Sequence, residues 1–154
     1  MGEVFFYHLT QRPLEVTLRI LLEKCRAQGW RVAVRGRTDA MLQRLDDHLW
    51  LHPEDGFLPH GLANGPHDGD QPILLTTARE APNRPDCLIS VEGADLAADE
   101  IGPLARAMVL FDGHDPMAEE TARAQWKALT GAGVAAKYWS EQSGKWEMKA
   151  EKGG

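Results

Sequence analysis

His60, His67, Asp68 and Asp70 crowd one short loop. Imidazoles and carboxylates are the ligand types of divalent-metal sites, so this set raises a metal-dependent hydrolase as one reading. The loop argues against it. Pro59, Gly61, Gly65, Pro66, Gly69 and Pro72 punctuate it, and a backbone so interrupted gives ligands no rigid support. No HExxH or HxH occurs. His48 and His52 are four apart, but Pro53 disfavours helix at position 52. His114-Asp115 precedes a helical segment and fits capping better than a catalytic dyad.

Nucleophilic chemistry fares no better. There is no GxSxG, Ser90 lies inside the apolar run CLISV, and Cys87 has no histidine near it in sequence. Asp46-Asp47 and Glu119-Glu120 sit on helical segments as solvated faces. The first strand–helix connection, HLTQRPL, contains no glycine, so a pyrophosphate has no close backbone approach. GxxxxGK[ST] is absent, and VRGRTD (34–39) has a single glycine. The expectation is no catalytic residue, no metal and no cofactor.

The aromatic residues carry more. Three of the five tryptophans, Trp126, Trp139 and Trp146, fall in the last 30 residues. Arg123 and Lys127 are four apart and project from one helical face, with Trp126 beside it. Two readings stand. Trp126 is core with two solvated cations, or the three form a wall that holds an acidic, apolar-ended peptide, the cations taking carboxylates and the ring an apolar side chain. Between Arg123 and Lys152 there are six Lys/Arg against three Glu, on a chain of formal net charge −6. That acidic total disfavours direct duplex binding, and the basic end suits an acidic partner.

The elements that must position these residues alternate. VFFYHL (4–9) reads as a buried strand; Pro13 opens a helix whose Leu14, Leu18, Leu21, Leu22 and Cys25 recur at helical spacing until Gly29. A strand at about 31–35 follows, then a helix capped by Thr38 or Asp39 and carrying Met41, Leu42, Leu45 and Leu49. Residues 51–72 form a long connection. Strands are expected at 72–77, 87–91 and 107–113, a helix from Met117 to Leu129, and a last strand at 135–140. Strand–helix alternation predicts one three-layer α/β domain over residues 1–141, Rossmann-like with a mostly parallel sheet and no nucleotide-binding glycine loop. Residues 142–154 read as a polar, flexible tail, frayed or helical.

Composition agrees: 43% hydrophobic and 26% charged residues are those of an ordinary globular domain. Cys25 and Cys87, 62 positions apart, read as free buried thiols. No apolar run approaches the roughly 18 residues of a membrane span, and no signal peptide precedes the domain, so a cytoplasmic location is expected.

The stretch RLDDHLWLHPEDGFLPHGL (44–62), together with FYHL (6–9), LIS (88–90) and AR-x-x-WK (122–127), resembles the chi subunit family of bacterial DNA polymerase III holoenzyme. The resemblance covers about residues 1–140. It implies a nucleotidyltransferase accessory subunit, associated with the clamp loader, with no active site of its own. It implies two partners: the acidic, Phe-ended C-terminal tail of single-stranded-DNA-binding protein, and the psi subunit or, in its place, another clamp-loader or helicase protein. DNA would be met only indirectly, and a membrane not at all. Residue by residue, the tail pocket falls on Arg123, Trp126 and Lys127, with Tyr138 a further member, and the psi-facing surface on Trp50 and Phe57. A family lysine one turn earlier falls here on Glu119, a departure that removes a cation and either weakens the contact or shifts it toward Lys137. Direct single-stranded DNA binding through the basic tail remains an alternative.

Overall fold

The computed structural model describes residues 2–51 and 58–153, so His52, Pro53 and Phe57 lie outside the described residues. Strand β1 (Glu3–Leu9) is near the centre of the molecule, flanked by β6 (Arg106–Asp112) and β7 (Ala135–Ser140), both parallel to it. Its aromatic and β-branched run is explained by burial on both faces. Val4 and Phe6 enter one core with Ala122 and Leu129, while Leu9 and Tyr7 pack in the other. That division follows from the two-residue period of a strand.

Helix α1 (Leu14–Ala27) buries Leu18, Leu21, Leu22 and Cys25 and ends at Gly29, whose φ of +79° is the left-handed conformation that favours glycine. Strand β2 (Val32–Arg35) and helix α2 (Asp39–Leu51) follow; Thr38 Oγ1 accepts from the Met41 N–H, the expected cap. The described part of the long connection holds a two-residue strand, β3 (Gly61–Leu62), which was not anticipated, and a 3-10 turn at Asp68–Asp70. Then come β4 (Ile73–Thr76), β5 (Cys87–Ser90), the short α3 (Ala98–Ile101), β6, α4 (Pro116–Gly131), β7 and β8 (Glu147–Lys152).

The strands form one sheet in the order β3-β4-β2-β5-β6-β1-β7-β8. Every pairing is parallel except β7 with β8. Leu residues of α1 and α2 share one core, and residues of α3 and α4 share the other, giving the expected three layers. Cys25 and Cys87 are both buried and free, and meet within hydrogen-bonding reach in the first core.

One expectation is corrected. Residues 147–152 are neither frayed nor helical but an antiparallel edge strand, with a register shift at Tyr138/Trp139. Gly144, at φ +93°, turns the chain back, and Trp146 meets Tyr7 edge-on at 5.4 Å. The polar sequence misled because only Trp146 anchors the segment. The strand itself is exposed apart from half-buried Glu147, so it carries no apolar alternation.

Candidate functional site

Helix α4 starts where Asp115 accepts a hydrogen bond from the Met117 N–H at 3.0 Å and Pro116 supplies a preset first-turn φ. Ala122 and Leu129 face the core. Trp126, between them, is half-buried: its ring meets Phe6 edge-on at 5.4 Å and Tyr138 at 6.2 Å. Trp126 is therefore packed against the core through these rings and still reaches the surface. Tyr138, also half-buried, contacts Phe111 at 6.0 Å and His8 at 6.1 Å. Arg123 and Lys127 are exposed one turn apart beside these rings. Neither cation pairs with a carboxylate among the described residues.

Glu119 turns away from them. Its Oε1 lies 2.9 Å from His8 Nε2, while His8 Nδ1 is 3.0 Å from Ser140 Oγ. Burial pushes the Tyr138 phenol up, the Glu119 charge adds to that, and Arg123 opposes it. His8 and Ser140 were not anticipated in this cluster; they are register partners on β1 and β7, a relation absent from their sequence positions. Lys137 does not join it. As the register partner of Phe5 it stands 5.4 Å over that ring, on the opposite side of the sheet from Tyr138, and lies 3.9 Å from Glu151. An acidic contact shifted toward Lys137 would therefore leave the Trp126–Tyr138 face.

In two loops above the strand ends, backbone N–H groups are taken by acidic side chains of the chain itself. Glu141 Oε1, on a residue only 2% exposed, accepts from the N–H groups of Thr10, Gln11 and Arg12 at 3.1, 2.9 and 3.0 Å. Glu92 likewise takes the N–H groups of Arg37 and Thr38 at 2.8 and 2.9 Å. These are the positions where open α/β sheets hold anionic ligands. A model of the family described as "DNA polymerase III chi subunit, HolC" matches residues 1–137.

The chain belongs to the DNA polymerase III chi subunit family.

Three curated relatives agree. It is 30% identical over 122 residues to "DNA polymerase III subunit chi" of Escherichia coli, covering 77% of this chain and 79% of that protein. It is 30% identical over 94 residues to the subunit of that name in Pseudomonas aeruginosa, covering 59% and 65%. It is 25% identical over 97 residues to "Probable DNA polymerase III subunit chi" of Rickettsia prowazekii, covering 63% of this chain and 59% of the relative.

In this chi-family chain the described parts of the 44–62 stretch are the end of α2 and residues 58–62. Trp50 is 51% exposed, and its ring lies 4.6 Å from that of His60. His60 is buried; its Nδ1 donates to the Leu58 carbonyl at 2.6 Å, and its Nε2 is 3.1 Å from Asp46 Oδ1. Asp68 accepts from the N–H groups of Asn64 and Gly65. Of the four side chains read as metal ligands, His60 and Asp68 are thus engaged within the chain itself. Among the described residues, no three His, Cys, Asp or Glu side chains converge to hold an ion. Among them too, no helix is long and apolar enough to cross a membrane.

Proposed function

We propose that the protein is a non-catalytic, cytoplasmic accessory subunit of DNA polymerase III that grips the acidic, apolar-ended C-terminal tail of single-stranded-DNA-binding protein. The observation that carries this reading is the α4 surface. Two half-exposed rings, Trp126 and Tyr138, stand beside two exposed cations, Arg123 and Lys127, that no carboxylate of the described chain neutralises. Arg123 and Lys127 pair with tail carboxylates, and the Trp126–Tyr138 wall takes the terminal aromatic ring. Charge-assisted contacts at an open surface weaken with salt, and a multi-tailed partner restores affinity through avidity.

The second surface, Trp50 with Phe57, faces the psi subunit or another clamp-loader or helicase protein. Its support is the exposed Trp50 ring at the end of α2. Helix α2 packs in the core on one side of the sheet and α4 on the other, so both partners can be held at once. The test is titration of a labelled acidic, Phe-ended peptide. Arg123→Ala with Lys127→Ala should remove most of the binding, and unchanged binding would mean that the pocket is wrongly placed.

A further inference from the structure

The sheet has a second open aromatic surface, on the side away from α4. Helices α1 and α2 cover β2, β4, β5 and β6 there, and Phe5, Tyr7 and Trp139 of β1 and β7 line a cleft beside α1. Helix α1 on one side and the Trp146 turn on the other make this surface a cleft of about 570 Å³. That is the size of pocket that encloses a small ligand.

Its lining is sorted by charge. Arg12, Lys24 and Arg106 contribute to it, and no aspartate or glutamate does, on a chain of formal net charge −6. A further large cleft, above the strand ends, is mixed instead: Arg37 and Arg44 line it with Glu92, Asp112 and Asp115, and Arg12 reaches both. Arg12 and Lys24 pair with no carboxylate among the described residues. Arg106 is held over the Phe5 ring at 4.1 Å and near that of Trp30 at 5.4 Å, with Glu3 3.7 Å away. Its Nε and the Trp139 Nε1, both buried donors, have no hydrogen-bond partner among the described residues. Burial pushes the Tyr7 phenol up, so it stays a neutral hydroxyl.

We propose that this cleft binds a small organic anion with a planar aromatic body. The rings of Trp30, Trp139 and Trp146 receive the planar part, and Arg12 and Lys24 at the mouth receive the charge. A nucleic-acid strand fits less well, because the acidic chain offers no basic track leading out of so confined a cleft. The site is separate from the α4 surface and does not depend on its assignment.

The test uses the full chain and three probes: naphthoate, its neutral analogue naphthalenemethanol, and acetate. Binding is read from the indole N–H resonances of the tryptophans. Naphthoate should shift those of Trp30, Trp139 and Trp146 saturably in the millimolar range or below. The neutral alcohol and acetate should each bind more weakly. Arg12→Glu with Lys24→Glu, two exposed positions, should weaken naphthoate about tenfold or more without changing the unfolding midpoint by much. Arg123→Ala should leave it unchanged. The proposal is overturned by an absence of saturable shifts, by equal binding of the neutral alcohol, or by full binding in the doubly charge-reversed variant. It is equally overturned if an oligothymidylate occupies the same resonances more tightly than naphthoate.

Discussion

His8 on β1 and Glu119 on α4 are joined by a 2.9 Å contact between Nε2 and Oε1. The pair fixes where the acid on the α4 face points. A glutamate beside Arg123 would be expected to neutralise it as an i,i+4 partner. Here the carboxylate is drawn down to the strand end instead, and Arg123 stays available for an external anion.

Glu119→Lys should therefore act twice. It removes the contact with His8, costing about 0.5–1.5 kcal/mol of stability. It also adds a third cation in line with Arg123 and Lys127. Affinity for an acidic, Phe-ended peptide should rise several-fold at low salt, with a steeper salt dependence. Fluorescence anisotropy at two ionic strengths measures both, and Glu119→Gln separates loss of the acid from gain of the cation.

Lys137 gives the complementary control. It stands over Phe5, on the side of the sheet opposite Tyr138. Lys137→Glu should leave tail-peptide affinity within about twofold, whereas Arg123→Glu should lower it by tenfold or so. A large loss in the Lys137 variant would mean that the peptide reaches the other face.

Glu141 is a structural anion. It takes three backbone N–H groups just ahead of α1 while 2% exposed. Glu141→Ala leaves those donors without their acceptor, and should destabilise the fold by about 2–3 kcal/mol, since hydrogen bonds to a charged group are the stronger kind. Chemical denaturation of the two proteins under one buffer checks the difference.

Arg35 and Glu100 supply a pH signature. Burial works to raise the Glu100 pKa, but hydrogen bonds from Arg35 and the Ala97 N–H, with the charges of Arg35 and Arg79, outweigh it and hold the carboxyl below its ordinary value. A depressed folded-state pKa means stabilisation that is present above the unfolded carboxylate pKa and is lost as pH falls through the folded one. Thermal melts should be steady near neutral pH and fall on acidification below the ordinary glutamate range. Glu100→Gln should flatten that fall. Arg35→Met, which leaves the part-buried acid with only the exposed Arg79 and the Ala97 N–H as partners, should cost about 2 kcal/mol at neutral pH.

Much of the fold was legible because it rests on local patterns. The VFFYHL strand, the Leu spacing of α1, the Thr38 and Asp115 caps and the β7 segment are each set by neighbouring residues, and each appears as read. Strand β8 was not legible. An exposed edge strand buries no apolar face, so its sequence carries no period; the Trp146 contact with Tyr7, 139 positions earlier, is what docks it. The side on which Lys137 stands was not legible for a related reason, since the face of a strand residue is known only once its register is known.

The sequence by itself determined the family, the α/β alternation, the absence of a glycine loop and the helical grouping of Arg123, Trp126 and Lys127. These depend on residue type and short spacing. Tertiary structure alone decided that Glu141 fills the loop before α1, that Glu119 turns to His8, and that Tyr138 rather than Lys137 shares the α4 face. Each of those pairs residues more than ten positions apart, through strand register and helix packing, which no local pattern encodes.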